Sequence, residues 1–226
     1  MNIQEMHQYF RVYGEQMGLE LIRNILPEEI DIYLNTAINE KVREALSTSA
    51  NAQYNDRISI QNNPIAPISY IQSLYSVAFG LCQDKDDSAF YINRTECNIM
   101  MYLSFYCTYS LKEINDGYKC RYIDANKVSD VLNDFCNGAS HEYPIVTHLH
   151  SFKDDEGIKD YFKIYTGEKD KYIGYVKATV IKNPAKVSLE ENISCDLPDY
   201  VHIDIVQLAC QKYFNTLRVT NNNVNQ

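Results

Sequence analysis

The hydrophobic period changes twice along this chain, and that limits what it can fold into. Apolar residues recur at three- and four-residue steps near the front, at Ile3, Met6, Phe10, Tyr13, Met17 and Leu21, which predicts a helix over 3–24. Gly14 and Gly18 weaken its far end. Pro27-Glu28-Glu29 reads as a second helix start, with proline at the first helical position and carboxylates at the positive end of the dipole. That helix carries Ile30, Leu34, Ala37, Ile38, Val42 and Leu46 on one side and is expected to end in the polar run Ser47–Asn51. Between about 89 and 182 the pattern is aromatic, β-branched and extended. Helical spacing returns over Tyr200–Leu217, through Ile203, Val206, Leu208, Ala209 and Tyr213.

The expected fold class is therefore α+β. Helices from both ends of the chain form a helical base, and a β-rich region is inserted between them. The divisions are 1–50, an N-terminal helical region; 51–88, a connecting segment with a helix at Ile68–Leu81; 89–182, the β-rich region; 183–217, an extended segment and the closing helix; and 218–226, a flexible polar tail. Strands are expected at Phe90–Ile92, Asn98–Tyr109, Tyr118–Ile123, Pro144–Ser151, Asp160–Thr166 and Tyr172–Ile181. Turns are expected at Gln83–Ser88, Asp116-Gly117 and Asp154–Gly157, and a short helix over Asn126–Cys136.

At 226 residues the chain can bury a full core. Its longest apolar runs, such as Ile99–Leu103, are too short to cross a bilayer, so no membrane partner is expected. The first residues lack the basic and small-residue features of a secretory signal. A formal charge of −9 argues against a protein that grips nucleic acid by its phosphates. It is compatible with an acidic wall along which a duplex slides. The seven cysteines contain no CxxC pair, which points to reduced, mostly buried thiols rather than a disulfide framework. Nineteen tyrosines and no tryptophan suit interfaces, though an AT-rich genome would favour the same usage.

Two stretches, read together, resemble a known family. The pattern I-R-x-I-L-P-E-E-I-D-x-Y-L-N-x-A-I-x-x-x-V at Ile22–Val42 is similar to the N-terminal signature of structural virion proteins of crAss-like bacteriophages, which infect gut Bacteroidales. A strand containing Tyr175-Val176-Lys177, the run N-P-A-K-V-S-L at 183–189 and the run D-L-P-D-Y-V-H-I-D-I-V-Q-L-A at 196–209 resemble the closing signature. The resemblance implies a head–tail connector, adaptor or tail-ring component. Copies would close a ring beneath the portal, between the portal and adjacent tail rings, around packaged DNA that passes without sequence recognition. The location would be the virion, after assembly in the host cytoplasm. The family offers no catalytic residue and no cofactor.

The residues themselves supply competing chemistry. His148 and His150 stand two apart on an expected strand, and i, i+2 side chains share a face, so two imidazoles could hold one ion, with His141, Asp154 or Asp155 contributing. An ordinary amphipathic strand explains them as well, and no metal is expected. Cys107 and Cys136 are candidates for a nucleophile paired with a distant histidine, against the reading of inert thiols. A small cytosolic enzyme or metal-binding protein is thus the alternative, with a phage-encoded host-binding module as a third class. Lys153, Lys159, Lys163, Lys169 and Lys171 make a locally basic stretch, read as a solvated face or a contact for DNA or an acidic neighbour. Glu28, Glu29 and Asp31 form an acidic cluster that serves the helix dipole or a neighbouring subunit. With Tyr200, Asp204 and Tyr213 of the closing helix, they are the candidate interface residues.

Overall fold

A computed structural model describes residues 1–18, 24–55, 71–80, 88–109, 117–167 and 173–224. The protein is mixed α and β, and divides into two compact units. The first combines Met1–Leu74 with Pro184–Gln226, and the second is Tyr75–Asn183.

Three long helices make the first unit. α1, Ile3–Gln16, begins with a capping box: the Asn2 side chain accepts from the Glu5 N–H at 2.8 Å and the Glu5 carboxylate accepts from the Asn2 N–H at 2.9 Å. It ends eight residues before the expected limit, because Gly18 turns left-handed at φ 81° and its N–H closes on the Glu15 carbonyl. Leu21 lies outside the described residues. The buried stripe is Ile3, Met6, His7, Phe10 and Gly14. α2, Pro27–Asn55, starts where expected but runs on through Ser47–Asn51, since that run contains neither glycine nor proline to stop it. Ile30, Leu34, Ala37, Ile38, Val42 and Ala45 are its buried face.

The last long helix, which we call α4, spans Asp199–Val224 and so includes most of the tail expected to be flexible. Its buried face is Val201, His202, Ile205, Val206, Ala209 and Cys210, while the expected Ile203 is exposed. α1 and α2 both pack on it. Tyr213 meets Tyr33 edge-on with centroids 5.3 Å apart and Phe10 at 6.1 Å. The Cys210 thiol donates to the Phe10 carbonyl at 3.1 Å.

The second unit holds seven strands: β1 Tyr75–Gly80, β2 Ala89–Asn93, β3 Ile99–Thr108, β4 Tyr118–Tyr122, β5 Ile145–Asp154, β6 Gly157–Tyr165 and β7 Tyr175–Lys182. β1 corrects the helix expected over Ile68–Leu81; of that range, 68–70 and 81 lie outside the described residues. After a single 3-10 turn at Gln72–Leu74, Tyr75, Val77 and Phe79 alternate with Ser76, Ala78 and Gly80, a period-2 pattern that pairs with β7 along its whole length. Residues 56–67, the expected turn at Gln83–Asp87, Asp116 and Tyr172 also fall outside the described residues. The helix expected over Asn126–Cys136 shrinks to α3, Val128–Asn133. Asp134 stops it by accepting the backbone N–H groups of Cys136 and Asn137, and Phe135 is left fully exposed.

The strands form one sheet in the order β1-β7-β3-β4-β5-β6-β2, antiparallel throughout except for β4 with β5. Its two ends approach each other at Gly80, where an added Cβ would lie 2.5 Å from the Phe90 ring and 3.1 Å from the Tyr91 carbonyl. Only glycine allows that near-closure. The enclosed face is aromatic. Phe90 stacks on Phe162 at 5.3 Å, and Phe162 lies 4.9 Å from Phe105 and 5.1 Å from Tyr102.

Candidate functional site

A break in the strand alternation of β5 builds the polar site of the second unit. His148 pairs with Phe162, but the next pair is His150 with Tyr161, so Leu149 is an extra residue in a bulge. Phe162 and Tyr161 point to opposite faces of β6. His148 therefore meets Phe162 edge-on at 5.1 Å on the enclosed face, and His150 stacks on Tyr161 at 4.8 Å on the other. This overturns the expectation that the two imidazoles share a face, the geometry on which a shared ion would have depended. His141 is occupied elsewhere, stacked on Tyr109 at 4.2 Å. Asp154 holds Lys159 at 2.8 Å. Among the described residues, no group of three or more histidine, cysteine or carboxylate side chains converges to hold a metal.

The same bulge brings Ser151 to the face of His148. There both meet Asp160, a carboxylate only 1% exposed. Ser151 donates to Asp160 Oδ1 at 2.6 Å and Tyr102 donates to Oδ2 at 2.8 Å. His148 Nε2 lies 3.2 Å from Ser151 Oγ and 3.9 Å from Asp160 Oδ1, while Arg94 Nη1 is 3.9 Å from Oδ2. Burial first, and then the bond to Asp160, holds the Tyr102 phenol far above its usual range, so it remains a donor. The arrangement is not a catalytic triad. The serine proton goes directly to the carboxylate, and the imidazole does not stand between them.

This cluster lines a pocket of about 1030 Å³. Tyr102, Phe105, Tyr122, Tyr143 and Phe162 provide aromatic walls, and Arg94, Lys119 and Arg121 bring positive charge. The Nε of Arg121 is buried without a hydrogen-bond partner, although its Nη2 donates to the carbonyls of Asn137 and Gly138. Chemically, the pocket can bind a group that presents acceptors to its basic side and flat or apolar surface to its rings.

The first unit has its own carboxylate centre. Asp31 Oδ1 accepts from His7 Nε2 at 2.7 Å, and its Oδ2 accepts from the Leu189 N–H at 3.0 Å. One turn along, Asn35 makes a two-way bond with Val187, donating to its carbonyl and accepting from its N–H, both at 2.9 Å. Two residues of α2 thereby clamp the segment that precedes α4.

Of the candidate interface residues, Asp31 and Tyr213 act inside the first unit. Glu28 and Glu29 are exposed in the first turn of α2, and Tyr200 and Asp204 are exposed on α4. Asn35, Tyr102, Ser151 and Asp160 were not singled out by sequence. The spacing of Asp31 and Asn35 on one helix face was the available signal for the clamp.

The thiols are mostly inert. Cys107 is fully buried against Cys120; the bond between them lowers the Cys107 thiol, while that bond and then burial push up the Cys120 thiol, and it is burial that shields Cys107 from reaction. Burial raises Cys195 to about 11 and Cys210 to about 12. Cys136 is exposed, in the turn after α3, and Cys82 lies outside the described residues. The basic stretch is also partly spent: Lys159 bridges Asp154 and Glu156, and Lys163 sits over the Tyr165 ring. Lys169 and Lys171 are outside the described residues.

No protein-family model matches this chain, and no curated protein resembles it closely enough in sequence to assign a relative. Among the described residues, no helix is long and apolar enough to cross a membrane.

Proposed function

We propose that this chain is a structural virion protein, a ring-forming connector or tail-ring subunit that docks between portal and tail and surrounds the DNA passage. The observation that carries this reading is the clamp. The stretches at 22–42 and 183–209 that resemble crAss-like virion proteins are far apart in sequence. Yet Asp31 and Asn35 of the first hold Val187 and Leu189 of the second. The two halves of the resemblance belong to one device, as a signature for a docking unit would require.

In this reading the unit built from both chain ends is the helical base, and the β-rich unit is an insertion directed at neighbouring tail parts. Copies meet head to tail, a geometry that closes into a ring when the rotation allows. Glu28, Glu29, Tyr200 and Asp204 are the surface residues offered for such contacts. The charge of −9 suits a channel wall that repels phosphate and lets DNA slide. Quantitative mass spectrometry of purified particles, with this chain measured against the portal subunit, tests the proposal. A small-integer ratio is expected; absence from mature particles overturns it.

A further inference from the structure

The sheet of the second unit contains a seam. β4 pairs with β3 only where Phe105, Tyr106 and Cys107 face Cys120, Lys119 and Tyr118. It then crosses to β5, pairing Arg121 with Ile145 and Tyr122 with Val146. Beyond those contacts two edges have no strand partner among the described residues: 99–104 of β3, on the side away from β7, and 147–154 of β5, on the side away from β6. The pocket lies between them, with Leu103 and Ser104 on one side and His148 and Ser151 on the other. Arg94 covers part of the β3 edge by donating to the carbonyls of Ile99 and Met100. No comparable side chain covers the edge of β5 among the described residues, and Leu149 and Phe152 stand exposed along it.

We propose that this seam receives an extended acidic segment of another protein chain, which adds as a strand to the free edge of β5. The backbone argument comes first. An open edge presents a row of unpaired N–H and C=O groups, the template for strand addition. β3 is antiparallel to β4 and β4 parallel to β5, so the two open edges run antiparallel to each other. A strand between them bridges both and completes the sheet. Charge selects the occupant. Arg94, Lys119 and Arg121 face only Glu142 and Asp160 among the lining carboxylates, and Asp160 already accepts from Tyr102 and Ser151. The seam is thus locally basic on a protein of charge −9. Arg121 Nε, buried without a partner beside the β4–β5 junction, is left for the incoming chain to satisfy. A small anion would meet the charge but leave the edge of β5 unpaired.

The test uses the purified full chain and two blocked peptides. In one, glutamate alternates with valine and threonine; in the other, lysine replaces each glutamate. Anisotropy titrations are expected to show the glutamate peptide binding at least about tenfold more tightly, the size of effect that a few complementary charges give. Amide exchange in 147–154 is expected to slow in the complex. Arg121→Glu is expected to remove the preference. Because Arg121 also tethers the carbonyls of Asn137 and Gly138, the exposed Lys119→Glu serves as a second variant and is expected to weaken it. Equal affinities, no binding of either peptide, or binding without slowed exchange in 147–154 overturns the proposal. So does inorganic pyrophosphate displacing the glutamate peptide with no change in exchange along that edge. None of these outcomes bears on whether the chain is found in phage particles, so this inference and the ring proposal fail separately.

Discussion

Asp31 and Asp160 are both shielded carboxylates, each at the centre of its unit's polar network, yet they are partnered differently. Asp31 takes a backbone N–H from a segment more than 150 residues away in sequence and an imidazole from α1, so its charge ties chain segments together. Asp160 takes two side-chain hydroxyls, and the nearest nitrogens of Arg94 and His148 stop at 3.9 Å. It fastens no distant backbone. A carboxylate used for construction accepts from the main chain, because losing it orphans a buried donor. A carboxylate beside a pocket is surrounded by side chains that can reorient when something enters.

The largest expected effect comes from the aromatic core beside Asp160. Phe162→Ala removes a buried ring that touches Phe90, Tyr102 and Phe105, and is expected to cost about 3–5 kcal/mol. Denaturant unfolding followed by amide exchange should place that loss in 75–183. If exchange in α1 and α2 rises equally, the two units unfold as one and the comparison loses its basis.

Asn35→Ala comes next. It breaks both bonds to Val187 and strands that residue's N–H and C=O, for an expected loss of about 2–4 kcal/mol. The amides of Val187 and Leu189 should exchange first, with the sheet unaffected.

The direct contrast is between two isosteric changes. Asp31→Asn is expected to cost about 2 kcal/mol, because the charge-assisted bonds to His7 and Leu189 weaken. Asp160→Asn is expected to cost about 1 kcal/mol, because losing a hydroxyl bond is offset by relief from burying a charge whose nearest cation, Arg94, stands at the limit of contact at 3.9 Å. Equilibrium unfolding of the two variants measures the difference. A larger loss at Asp160 would make it a structural centre rather than part of a site.

The smallest effect is a pH dependence. Burial pushes the Cys210 thiol from 9.0 up to about 12. The folded state therefore holds this proton more tightly than the unfolded state. The contribution is fully present below pH 9.0 and is lost as pH rises toward about 12. At neutral pH Cys210 should resist iodoacetamide until the protein unfolds, while exposed Cys136 reacts at once. Early modification of Cys210 would mean that α4 lifts from α1.

Much of this architecture was readable in advance. The stripe of α1 and the start of α2 follow from period and proline, and six of the seven strands overlap their expected ranges. The misses have local causes. Tyr75–Gly80 has apolar residues that satisfy both periods over so short a run, and only pairing with β7 makes it a strand. α4 buries the expected Val206 and Ala209 but adds Val201 and Ile205 in place of the exposed Ile203, because α1 and α2 select its face. The site was harder to see. Asp160 looks like any charged residue in an alternating strand, and nothing near Leu149 announces a bulge.

Period, capping residues and net charge act within a turn of chain or over the whole composition. They are enough to establish helical ends, a strand-rich middle and an acidic protein. Which residue faces which across strands is another matter. The single extra residue at Leu149 separates His148 from His150 and delivers Ser151 to Asp160. Asp31 and Asn35 acquire their roles only when residues 187–189 arrive beside them. Such pairings depend on contacts between distant segments, whose energies no local pattern encodes, so packing alone decided where the charges of this protein came to rest.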